Sequence, residues 1–400
     1  MLVVVAALAG LLSAVPAQAG VGATTVLVSV AYGGGAANDG SRFDAITPDG
    51  RFVLFDSLAS NLVPGDSNRR QDVFVRNLAT GRTVRVSVGP HGRQADAYSY
   101  GDAITPDGRF IVFTSSADNL LRQPDTNRVS DVFVRDRRTG RTIRVSVGRD
   151  GRQLAGTSMG GVITADGNQI AFMHVANHRV LTLIHNRSTD TTRVIDRHKN
   201  SQPYAISDTG RYLLLGRDFQ QNGPIHLVMR DRQTTREVQI PIPPPDRVAS
   251  DPAMTPDARY VAFTGGYGYP NPTAFDAFLW QRGAAQVTTI RNEPQGIDVA
   301  GISSDGRYIG LLDPTPLIIG DTNATTDLYR FDMNGGPIIR ASVTDTGAQL
   351  PSGATDITIC CTLSFGAVSG DGAVVAFNTY DPAVASDTNN SSDVYARTGL

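Results

Sequence analysis

The 400-residue chain carries 41 Gly, 22 Pro, a formal net charge of −2 and 40% hydrophobic residues. Of its 36 basic residues only Lys199 is a lysine, and of its 38 acidic residues only Glu237 and Glu293 are glutamates. Glu and Lys favour helices while Asp favours turns, so the composition speaks against long solvated helices and coiled coils. A near-neutral chain without a basic block also lacks the footprint of a nucleic-acid binder.

The chain opens with an apolar run over residues 2–12, followed by the small-residue cleavage pattern Ala17-Gln18-Ala19. This reads as a secretory signal peptide over residues 1–19, too short for a membrane span. No later stretch is long and apolar enough to cross a bilayer. The expected mature protein is one domain over residues 20–400, monomeric, secreted or periplasmic.

Residues 24–30, TTVLVSV, read as a strand with no partner nearby. A unit then begins at Ile46, ITPDGRFVLF…DVFVRNLATGRTVRVSV, and recurs from Ile104 as ITPDGRFIVF…DVFVRDRRTGRTIRVSV. Shorter copies start at Ile163, Ile206, Met254, Ile302 and Val368. Each has a tight turn in which Gly supplies positive φ, with Ala258 standing in once. An apolar strand follows, then a loop, then a second apolar strand, as expected for strands covered on both faces. After an Ala-Thr-Gly turn comes a last strand, residues 83–88. Its Val84, Val86 and Val88 face one way and Arg85 and Ser87 the other, the pattern of a half-exposed edge. Adding the short run before the PDG turn gives four antiparallel strands per unit. Seven such units predict an all-β, seven-bladed propeller.

The last unit ends at Leu400 with its third strand and lacks a fourth. Residues 24–30 match the fourth strand of the first unit at an offset of 58 positions, Val30 against Val88. The N-terminal strand is therefore expected to complete the last blade and close the ring.

The phrase PDGRFVLF…DVFVRDxxTGxTxRVSV resembles the WD40-like propeller repeats of the TolB-type family, over nearly the whole mature chain. The resemblance implies an exported propeller used as a binding scaffold, here without the separate N-terminal domain of TolB.

Four units share the loop pattern Asp-x-Asn-x-x-x-Asp: Asp66/Asn68/Asp72, Asp125/Asn127/Asp131, Asp321/Asn323/Asp327 and Asp387/Asn389/Asp393. Alternating oxygen ligands suit calcium. The same residues also suit Asx-turns that satisfy loop amides, and the pattern lacks the terminal Glu of a calcium loop. Residues 156–160, GTSMG, match a nucleophile elbow, but Ser158 falls at the repeat position of Ser99 without the strand–turn–helix context that motif needs. His174, His178, His185 and His198 gather in the third unit without a metal-ligand spacing. Cys360-Cys361 cannot staple distant segments; they form a vicinal disulfide or two small core residues. In the fifth unit, Phe278 and Trp280 are expected to pack the core. Tyr267 and Tyr269, on a Gly/Pro-rich loop, could stack on a sugar or anchor a peptide.

In a four-stranded blade, the loops between second and third strands and the loops between blades share one face. That face collects the Asp-x-Asn loops and the tyrosine loop, and long loops on a rigid scaffold are where binding resides. The expected function is non-enzymatic recognition of a protein, peptide or cell-envelope glycan. The alternatives are a polymer-acting hydrolase or lyase using loop carboxylates, or a purely structural protein. Two or three Asp with a His or Arg at channel depth would mark the enzyme, and a broad face with exposed aromatics would mark binding.

Overall fold

The computed structural model describes residues 22–123, 125–198, 200–218, 225–244, 248–267, 274–293, 296–354 and 366–400. These form six four-stranded antiparallel sheets and one of three strands. Blade 1 runs outward from the axis as Ser41–Ile46, Phe52–Ser57, Asp72–Asn77 and Arg82–Arg85. The other blades repeat this order, and the described residues contain a single short 3-10 turn, Pro90–Gly92. No helix among them is long and apolar enough to cross a membrane.

Blade 7 closes the ring as the offset predicts. Thr24–Leu27 pairs antiparallel with Asp393–Thr398, and Val28 N donates to Val394 O at 2.8 Å. Val374–Thr379 lies on the other side of Asp393–Thr398. The innermost position is held by residues 366–368, through the bridge from Val368 to Val375 and the bond from Ala376 N to Ala367 O. Residues 1–19 and Cys360-Cys361 lie outside the described residues.

The cores sit between blades. A repeated aromatic pair from the second and third strands marks four of them: Phe55 with Phe74, Phe113 with Phe133, Phe263 with Phe278, and Phe377 with Tyr395, with ring centroids 5.5–5.6 Å apart. Trp280 is fully buried and donates Nε1–H to Ala284 O, so it packs as the sequence suggests.

The PDG turns do more than reverse the chain. In blade 1, Thr47 donates its hydroxyl to Asp49, and that carboxylate accepts from Arg51 N. The second turn residue then reaches the next blade. Ala165 N donates to Asp208 O, Asp208 N to Pro256 O, Ser304 N to Gly370 O, and Gly370 N to Pro48 O. The equivalent residues of the remaining blades are Pro48, Pro106 and Pro256, which have no N–H to give. Every available donor at this position is therefore used. Ala258 holds the glycine position with φ 57, a left-handed conformation that costs a non-glycine residue some strain.

At the axis, the innermost strands of blades 1 to 6 all shift register after their first residues. Such bulges re-aim the extra residue. In blades 1 and 2 the re-aimed residues are Asp44 and Asp102.

Candidate functional site on the long-loop face

In blades 1, 2 and 6 the Asp-x-Asn loops fold over the outermost strand, and that strand supplies an arginine between the two carboxylates. In blade 2, Arg144 NH2 lies 3.0 Å from Asp125 and its Nε 3.4 Å from Asp131. Arg85 sits likewise between Asp66 and Asp72, and Arg340 between Asp321 and Asp327. A serine two positions on donates to the inner carboxylate: Ser87 to Asp72, Ser146 to Asp131 and Ser342 to Asp327, at 2.5–2.6 Å. Asn68 Nδ2 bridges Asp72 and Ala95 O, and Asn127 does the same with Asp131 and Leu154 O. Asn323 reaches Leu350 O. The residue after each asparagine, Arg69, Arg128, Ala324 or Asn390, has positive φ.

The edge-strand expectation is corrected here. Arg85 and Ser87 do not face solvent; both are buried beneath the loop that carries their acidic partners. Burial pushes Asp131 up to about 7 and Asp327 to about 6, although Ser146 and Ser342 oppose it. Blade 7 differs because Leu27 stands where Arg85 does. There Tyr395 OH donates to Asp387, while Ser29 and Asn389 donate to Asp393. The described residues contain no group of three or more His, Cys, Asp or Glu arranged to hold a metal ion.

Near the axis, four charged side chains meet between blades 1 and 2. Arg42 lies 2.5 Å from Asp56 and 3.5 Å from Asp44, and Gln71 also donates to Asp56. Asp44 rests against Gly101 so closely that a Cβ there would collide with its carboxylate. Asp102 accepts from Thr114 Oγ1 at 2.8 Å. Burial drives Asp44 well above the carboxylate range, reinforced by Asp56 beside it, and pushes Asp102 up to about 7. Three acids with an arginine are the set expected of an enzyme. Yet Asp44 and Asp56 are 1% exposed and Asp102 is 5% exposed, so the cluster is sealed within the wall.

Ser158 Oγ lies 3.0 Å from His174 Nδ1, a pairing the sequence did not suggest. Both residues are buried, and the bond joins neighbouring strands where blade 2 has Ser99 and Ser115. Ser158 has no access to a substrate. His178 sits with Asn177 in the two-residue turn of the blade 3 hairpin, both at positive φ. The histidines of the third unit do not converge.

Tyr267 ends the strand Tyr260–Tyr267 on the long-loop face, its backbone paired with Ala274. Tyr269 lies outside the described residues. The surface signal appears elsewhere. Of the six large hydrophobic residues exposed among those described, Tyr32, Leu58, Tyr98, Ile319 and Tyr380 all stand in long loops of blades 6, 7 and 1. Val238, on an outermost strand, is the sixth. The loops are bonded into a collar. Thr322 N donates to Gln349 Oε1, Asp345 N to Ala383 O, Asn389 Nδ2 to Ala37 O, and Tyr32 N to Asn61 O. Sequence reasoning passed over these residues because single apolar residues in loops carry no periodic signal.

No family model matches the chain, and no curated protein does either. Solved structures show the fold. An oligogalacturonate lyase in complex with manganese is 10% identical, with 97% of this chain and 96% of that one covered at a TM-score of 0.62. An oligogalacturonate lyase from Vibrio parahaemolyticus is 12% identical, with 94% and 93% covered at 0.57. TolB from Acinetobacter baumannii is also among the similar structures, at 11% identity and a TM-score of 0.46; 75% of this chain is covered, and the chain spans 65% of that protein's length. The seven-bladed propeller follows the expectation from the repeats.

Proposed function

We propose that the chain is an exported, non-enzymatic propeller scaffold that recognises a protein, peptide or cell-envelope glycan on its long-loop face. The observation that carries this reading is the gathering of Tyr32, Leu58, Tyr98, Ile319 and Tyr380 on one bonded collar of loops. Apolar side chains held in place before binding lose little entropy when a partner arrives. Tyr267, at the long-loop end of its blade 5 strand, and Tyr269 are assigned to the same proposed surface. Calcium is not required, since arginine already bridges three of the four Asp-x-Asn pairs.

The likeness to oligogalacturonate lyases invites a second reading, a polymer-acting lyase or hydrolase. It would need carboxylates that reach solvent, and burial of Asp44, Asp56 and Asp102 weighs against it. The test is capture from a cell-envelope extract by the mature protein, with a Tyr32→Ala/Tyr380→Ala variant as control. Retention of one component by the native protein and its loss with the variant supports the reading. Turnover of oligogalacturonate by the native protein would replace it with the enzyme. Export is tested by N-terminal sequencing of protein recovered outside the cytoplasm, where Gly20 is expected first.

A further inference from the structure

Where blade 3 passes to blade 4, a charged network closes upon itself and leaves cationic groups over. Asp196, at the end of Thr191–Asp196, is 1% exposed. Its Oδ1 accepts from the His198 ring at 2.6 Å, and its Oδ2 accepts from Ser201 Oγ at 2.7 Å and Arg217 Nε at 2.5 Å. Arg217 turns its other two nitrogens onto Glu237 in a bidentate pair, 2.8 Å each. Arg230 NH1 completes the set by donating to Glu237 and to Ile195 O. Two acids and two arginines balance, and both oxygens of Asp196 are spent inward.

What remains faces a cavity of about 350 Å³ lined by Val194, Ile195, Asp196, Arg197, His198 and Arg230. Arg230 keeps two nitrogens without a protein partner among the described residues. Arg197 has no ion pair among them, while its carbonyl is fixed by Arg179 NH2 at 2.9 Å. His198 gives Nδ1 to Asp196, so the ring is oriented with Nε2 outward, and its side chain is 57% exposed. Counting from the hairpin turn, Asp196 stands where Ser146 stands in blade 2, so the network departs from the repeat at this position.

We infer that this junction is an oxyanion site in which Arg197 and Arg230 receive a carboxylate or phosphate group, with His198 at its mouth. Guanidinium groups suit both anions because their paired N–H donors match two oxygens of one group. The donors here outnumber the free acceptors, which disfavours a cation. Burial would raise Asp196, but its bonds from His198, Ser201 and Arg217 overcome this and hold it at about 2, so the carboxylate keeps orienting the ring across the whole working pH range. The site lies two blades away from the exposed collar and does not depend on it.

The test is calorimetric titration of the mature protein at low ionic strength with inorganic phosphate in one arm and citrate in the other. Saturable binding is expected in at least one arm, and the stronger arm tells phosphate-bearing from carboxylate-bearing ligands. Arg197→Gln alone should weaken that binding with an unchanged melting temperature, since its side chain is exposed and has no ion pair among the described residues, and Arg197→Gln combined with His198→Gln should weaken it at least fivefold. Arg230 supports Ile195 and Glu237, so its variant serves only as a second check. Absence of saturable binding by the native protein in both arms, or equal binding by the double variant, overturns the inference.

Discussion

Ser29 donates its hydroxyl to Asp393 at 2.5 Å, joining residues 364 positions apart, and its oxygen accepts from Val394 N at 3.0 Å. The pair copies Ser87 with Asp72 inside blade 1, so the seam of the ring is built like the interior of a blade. Ser29→Ala leaves the buried Asp393 short of a donor and is expected to cost about 1–3 kcal/mol, similar to Ser87→Ala. Deleting residues 24–31 should remove the strand altogether and lower the melting temperature far more. Urea denaturation of the three variants checks this, and an unchanged stability of the deletion would refute the closure.

The buried acids near the axis should make stability fall as pH rises from about 4 to about 7. Asp102 titrates near 7 in the folded chain, Asp44 is shifted upward, and unfolded aspartates titrate near 3.8. Between these values the folded state holds more protons, so each such group contributes stability at low pH that is lost as pH passes its folded value. His174 and His185, lowered by burial, act in the opposite sense. Asp102→Asn isolates one group. Relative to it, the native protein should lose up to about 1.4 kcal/mol per pH unit across the window. Denaturation midpoints at four pH values decide it; parallel curves would exclude the buried proton.

Arg144→Gln should destabilise by about 3–5 kcal/mol, because it leaves Asp125 and Asp131 facing each other without their cation. Millimolar calcium should leave the melting temperature of the native protein unchanged relative to EDTA. A calcium-dependent rise would instead place the ion among the Asp-x-Asn loops.

Tyr32→Ala and Tyr380→Ala should each weaken a captured partner tenfold or more while stability shifts by less than about 0.5 kcal/mol, as expected for exposed positions. Tyr267→Ala and Tyr269→Ala extend the test to blade 5. Binding measured by surface plasmon resonance reads the first effect, and thermal denaturation the second.

The blades and their closure were legible because they rest on local grammar: a turn residue at a fixed offset, and an apolar run after it. Val30 against Val88 carried the ring in a single comparison. The destination of Arg85 was not legible. Alternation assigned it correctly to the face opposite Val84 and Val86, but only the loop from Asp66 decides that this face is covered. Asp44 and Asp102 were hidden for a related reason. A bulge turns each toward a strand about 58 residues further on, and no pattern within one repeat encodes that neighbour. Asp196 and His198 stand two apart in a segment where the repeat has decayed, and the other partners of Asp196, Arg217 and Ser201, come from the following blade.

The chain of bonds that passes from turn to turn around the axis behaves like a hoop with three open joints. Pro48, Pro106 and Pro256 hand nothing on to their neighbours, so the links from blade 1 to 2, 2 to 3 and 5 to 6 rely on side-chain packing alone at that rim. Two arcs, blades 3 to 5 and blades 6 through 7 to 1, are tethered instead. Under load the molecule should part along the untethered joints, leaving those arcs whole, and the N-terminal seam lies within one of the tethered arcs rather than at a weak joint.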